Sequence, residues 1–179
     1  MKDMFIQIEG TPNPRTRKFS FGIHLTDTPY EVSAREGVPD ALASLLQTGV
    51  TSIFVGRDYL SLTVADEATW PDVQALARQV ITDGAEALGS LSRSETIEAS
   101  ADPVVTRIRE LLDTHIRPAV AHDGGDVRFH SFDVKGVLRL EMVGACAGCP
   151  SSTATLKQGI RNLMRHFVKE VQDVEAVAR

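Results

Sequence analysis

One stretch constrains the fold of this chain more than any other. SLSRSETIEASAD, Ser90 to Asp102, is small, polar and without sustained apolar periodicity, so it has no face to bury and reads as a connection. It divides the 179 residues into two halves, each of which must close a core of its own. Charge divides with it: residues 1–100 carry 8 Lys/Arg and 14 Asp/Glu, whereas residues 101–179 carry 11 and 10. We expect two small domains, 1–90 and 102–179, with a linker over 91–101 and the boundary near residue 95.

In the first half, alternation at Met4, Ile6 and Ile8 and again at Phe19, Phe21 and Ile23 predicts two half-buried strands separated by the turn-rich TPNPRTR. A short helix is expected from Asp40 to Gln47, with Leu42, Leu45 and Leu46 on one face and Gly49 just beyond. VTSIFV and YLSLTV, split by Gly56-Arg57-Asp58, predict a hairpin. Thr69 is placed as the cap of a long helix whose stripe is Val73, Leu76, Ala77, Val80 and Ile81.

The second half opens with Asp102-Pro103, a capping residue followed by proline where a helix tolerates it best, then Val105, Ile108, Leu111 and Leu112 at helical spacing. The helix is expected to stop over His115 to Asp126, at a proline and the DGGD turn. Val127–Phe132 and Val137–Val143 predict a second hairpin. After the loop GACAGC, Leu156, Ile160, Leu163 and Phe167 mark the apolar stripe of a last helix, and Val171 to Val177 suits a short strand. The fold class is α+β, with an α-β-β-α-β order in the second domain.

The two cysteines of the chain, Cys146 and Cys149, stand in that loop between strand and helix. In a reducing compartment such a pair binds metal or does redox work more often than it forms a structural staple. The amino end of a helix favours negative charge, so this placement predicts lowered thiol pKa values and thiolates suited to a metal. Gly144 and Gly148 leave the backbone free to bend around a sulfur-rich ligand. A tetrahedral zinc site or a cubane iron-sulfur cluster takes four ligands, and this chain brings two sulfurs. Histidines, exogenous thiols or a second copy of the chain are the possible sources of the rest. His24 and His166 lack ligand spacing, and His115, His122 and His130 are solitary. Sharing between two chains is the simplest supply.

IRPAVAHDGGDV, VGACAGCPSSTATLKQGI and EVQDVEAV together resemble the carboxy-terminal domain of Nfu/NifU-type iron-sulfur cluster proteins. TPNP, KFSF and GVTSIFVGRDYLSLTV resemble the amino-terminal domain often attached to it. The resemblance covers nearly the whole chain apart from the linker. It departs from the family pattern at Lys169, where a proline is expected before Glu170-Val171. It implies a non-enzymatic carrier or scaffold that holds a 4Fe-4S cluster between the subunits of a homodimer. Carried over, Cys146 and Cys149 are the cluster ligands, metal-binding and cofactor-binding at once. Upstream donors and apo acceptor proteins are the implied partners.

Two readings compete. A thiol-disulfide oxidoreductase also presents Cys-x-x-Cys at a helix start, but its fold needs several more elements downstream than the 30 residues after Cys149 supply. A zinc-clamped structural dimer uses the same four sulfurs. No nucleophile–base pair, nucleotide loop or paired carboxylates suggest a hydrolase or transferase. A net charge of -5 excludes a global pull toward nucleic acid or anionic membrane. The start MKDMFIQIEG has neither signal-peptide nor transit-peptide character. We therefore expect a soluble, cytoplasmic protein, or one of an organelle matrix if the chain is processed. DGGD is expected to be a tight turn packed beside the cysteine loop, TPNPRTRK a proline-fixed turn with a basic rim, and Lys157, Arg161, Arg165 and Lys169 a solvated row.

Overall fold

Short runs of alternating apolar residues become strands in both halves of the chain. The structure, a computed structural model, describes residues 5–33, 38, 40–88, 102–147 and 150–177. The linker expected over 91–101 and the strand position at Met4 lie outside the described residues. The chain divides into two units, Met1–Glu95 and Thr96–Arg179.

In the first unit, β1 (Gln7–Gly10), β2 (Thr16–Ser20), β3 (Tyr30–Val32), β4 (Val50–Val55) and β5 (Tyr59–Val64) form one antiparallel sheet in the order β1-β2-β5-β4-β3. The β4–β5 hairpin falls where the turn residues place it. β3 is too short for its periodicity to show in the sequence; pairing with β4 makes it a strand. The helix expected over 40–47 is two pieces, α1 (Asp40–Ala43) and a 3₁₀ turn (Leu45–Gln47), that bury Leu42 and Leu45 fully. α2 (Trp70–Asp83) buries Trp70, Val73, Ala77 and Ile81 in the core formed with Phe19, Ile53, Leu60 and Leu62. Thr69 does not cap it: its hydroxyl donates to the Asp66 carbonyl at 2.6 Å, and the Asp66 carboxylate caps the 3₁₀ turn before α2 by accepting from the Ala68 N–H. A one-turn helix, α3 (Ala85–Leu88), closes this part of the unit.

In the second unit, Asp102 caps α4 (Pro103–Leu111) by accepting the Val104 N–H at 2.8 Å. The helix stops within the expected span, at His122 before the DGGD turn, and not at Pro118. A π-helical turn, Leu112–Ile116, carries the chain into α5 (Arg117–His122), with the Arg117 N–H reaching back to the Leu112 carbonyl. Pro118 has no N–H to give to the preceding turn, and the widened turn lets the helix continue past it. β6 (Gly125–Phe132) and β7 (Val137–Gly144) pair antiparallel, and β8 (Asp173–Val177) adds parallel to β7 after the crossover helix α6 (Pro150–Phe167). Gly136 takes φ +79° at the β6–β7 turn, where a Cβ would collide with the Glu170 carbonyl.

The stripe of α6 differs from the expected one. Ile160 and Met164 are buried and the core continues at Val168, while Phe167 is 49% exposed. Leu156 and Leu163 pack partly buried against this core as expected, whereas Phe167 at the helix end does not, and the i, i+4 row Ile160, Met164 and Val168 makes the deepest contacts. The helix ends without a proline at 169: Val168 donates to Met164 at 2.7 Å, Val171 donates to Val168, and Val168 and Val171 are both buried.

Candidate metal centre

Cys146 lies two residues beyond the end of β7, and three interactions fix the backbone around it. The Ala145 N–H donates to the Gly124 carbonyl at 3.2 Å, the Ala147 N–H to the Gly144 carbonyl at 3.0 Å, and the Thr153 hydroxyl of α6 to the Cys146 carbonyl at 3.1 Å. Gly124 and Gly144 both take positive φ, +79° and +65°. DGGD is therefore a turn at Asp123-Gly124 that leads straight into β6, with Gly125 opposite Gly144 and Asp126 opposite Val143.

Gly125 is the seat of the cysteine. A Cβ there would lie 2.7 Å from the Cys146 sulfur, 2.8 Å from the Val143 carbonyl oxygen and 3.1 Å from the Cys146 nitrogen. The sulfur occupies the room that a side chain at 125 would need, and only glycine leaves it. Cys146 is a free thiol, 7% exposed. Gly148 and Cys149 lie outside the described residues.

Charge around this thiol runs against the expectation drawn from the helix end. Burial pushes the Cys146 thiol up from its ordinary value of 9.0 to about 12, with the negative charges of Asp123 and Asp126 adding to the effect. Desolvation and two carboxylates outweigh the helix amino terminus. In this arrangement Cys146 is protonated and sheltered. Asp126, only 3% exposed, is balanced by Arg117, whose Nε and Nη2 donate to its two oxygens at 2.8 and 2.7 Å. The Val127 N–H donates to the same carboxylate, and Arg117 Nη1 reaches Asp113 at 2.9 Å. Hydrogen bonding to Asp126 holds the guanidinium proton even more firmly than usual. Neither Arg117 nor the Gly125 seat is legible from the spacing of the cysteines; the signal available was the run RPAVAHDGGD, whose ends meet only in the fold.

The other candidates fall into place around them. His24, His115, His122, His130 and His166 are all exposed, and among the described residues no three His, Cys, Asp or Glu side chains are grouped to hold a metal ion. Arg161 is not purely solvated: its Nη1 approaches Asp173 of β8 at 3.4 Å. The basic rim of TPNPRTRK stacks on aromatic rings, Arg17 over Trp70 and Lys18 over Tyr59, each at 4.6 Å. No helix among the described residues is long and apolar enough to cross a membrane.

Comparison with known proteins gives this architecture its class. The NifU-like domain family matches residues 108–175, and the family described as scaffold protein Nfu/NifU N terminal matches residues 6–87. The class is a two-domain α+β scaffold, not a catalyst. The chain is 38% identical over 188 residues to NifU-like protein 5, mitochondrial, of Arabidopsis thaliana, covering 97% of this chain and 68% of that protein. It is 36% identical to NifU-like protein 4, mitochondrial, of the same plant, covering 97% and 66%. With NFU1 iron-sulfur cluster scaffold homolog, mitochondrial, of Drosophila willistoni it shares 37% identity, covering 98% and 64%. The chain spans about two thirds of the length of these curated relatives. It belongs to the Nfu/NifU family of iron-sulfur scaffold proteins.

These relatives overturn one expectation. They are mitochondrial proteins, which contradicts the cytoplasmic expectation and agrees with its organelle alternative. Cytoplasm and matrix are both aqueous, and the composition and charge of a folded domain do not distinguish them.

Proposed function

We propose that this protein holds a 4Fe-4S cluster between two copies of the chain, through Cys146 and Cys149 of each, and passes it to apo acceptor proteins. The cluster is cargo, received from an upstream donor. The observation that carries the reading is the half-set of ligands: two cysteines per chain, with Cys146 poised on a glycine seat at the end of β7. The loop between β7 and α6 would present both sulfurs together, and two such loops complete the four thiolates that a cubane requires. A site split across two molecules opens by dissociation, whereas a cage within one chain needs local unfolding. Delivery follows from that difference.

Anaerobic reconstitution with iron and sulfide tests the proposal. The expected product is a brown protein holding about four irons per two chains, sedimenting as a dimer and losing colour in Cys146→Ser and Cys149→Ser. A colourless dimer with bound zinc, or a brown monomer, would overturn it. Mixing the brown form with an apo acceptor should move the cluster faster than free iron and sulfide rebuild it.

A further inference from the structure

Arg117 lies outside the donor set, yet it ties together three parts of the second unit. Through Nη1 it holds Asp113 in the π-helical turn, and through Nε and Nη2 it grips both oxygens of Asp126, the second residue of β6. Asp126 follows directly on Gly124 and Gly125. Gly124 accepts the Ala145 N–H, and Gly125 is the surface on which the Cys146 sulfur rests. A two-pronged guanidinium–carboxylate pair fixes direction as well as distance, which a lysine ammonium does not reproduce. Removing one partner would leave a buried charge uncompensated at the point where the cysteine loop leans on β6.

With 7% of its surface exposed, Cys146 shows little of itself to a second molecule. Any forward movement of the loop would break its contacts with Gly124 and Gly125, and the Thr153 hydroxyl's bond to the Cys146 carbonyl also resists it. We propose that Arg117 is a positioning residue for the cysteine loop: its grip on Asp126 holds the Gly124-Gly125 turn against Cys146 in a sheltered arrangement, and the strength of that grip sets how readily the sulfur comes forward to meet a cluster. The link to cluster uptake rests on the function proposed above; the link to loop opening does not.

Amide hydrogen exchange on the full-length apo chain tests it. In Arg117→Gln, exchange of the Ala145 amide is expected to quicken about tenfold or more, while Leu140 in the middle of β7 changes by less than about twofold. Arg117→Lys, which keeps the charge and loses the fork, should shift Ala145 in the same direction by a smaller factor, and carries the comparison alone if Arg117→Gln does not fold. An unchanged Ala145 amide, or Ala145 and Leu140 quickening together, would overturn the proposal, the latter marking Arg117 as a general stabiliser. Uptake of cluster from ferrous iron and sulfide should then run faster in Arg117→Lys than in the parent chain, and equal rates would sever the loop from loading. If Cys146→Ser still takes up cluster, the cluster-binding reading fails, while the amide result stands or falls separately.

Discussion

At the residue scale, the chemistry of this protein turns on what surrounds Cys146. The raised thiol pKa has a direct consequence for stability. The folded value, about 12, lies above the ordinary 9.0, so the unfolded chain releases this proton first as pH rises. The contribution of the neutral thiol is fully present below pH 9.0 and is lost as pH climbs toward about 12. The difference in denaturation midpoint between the apo protein and Cys146→Ala should therefore shrink across that window; a constant difference would contradict the burial. Gly125→Ala should cost about 1–3 kcal/mol, because the new methyl group meets the sulfur and the Val143 carbonyl and something must shift. Denaturant titration measures the loss, and faster alkylation of the displaced Cys146 would accompany it. The Cys-x-x-Cys spacing leads one to expect Cys146 as a ligand, and its place before a helix leads one to expect a lowered thiol pKa, the opposite of the raised one found. A helix end can be read from letter order, whereas the burial and the two carboxylates that outweigh it arise only when Asp123 and Asp126 fold back beside the thiol.

At the scale of elements, hairpins and helix starts were legible, and helix faces and stops less so. β4–β5 and β6–β7 follow from alternation broken by glycine turns, and Asp102 caps α4 as its residue type requires. α6 tests where legibility ends. Met164→Ala, at a fully buried position, is expected to cost about 2–5 kcal/mol, whereas Phe167→Ala, half exposed at the helix end, should cost about 1 kcal/mol or less. Thermal or chemical unfolding of the two variants checks the order, and a reversed order would restore the expected place of Phe167 in the stripe. The π-helical turn is the clearest case of a fold decision hidden from local pattern. Of the two stop signals expected over His115 to Asp126, the DGGD turn ends the helix, whereas at Pro118 the chain widens one turn and proceeds, placing Arg117 where it reaches both Asp113 and Asp126.

At the scale of the whole molecule, the two units have cores with no residue in common. Ile108→Ala, fully buried in the second core, should accelerate exchange of β6 and β7 amides while leaving those of β4 and β5 near their parental rates; uniform acceleration would show a single cooperative unit. The order of most elements, the two-part division and the presence of only two cysteines were determined by the sequence, because periodicity, turn chemistry and composition act over a few neighbouring residues or none. The tertiary structure alone decided the glycine seat, the Arg117 fork and the sheltered state of Cys146, because each depends on groups far apart along the chain arriving within hydrogen-bond or van der Waals distance.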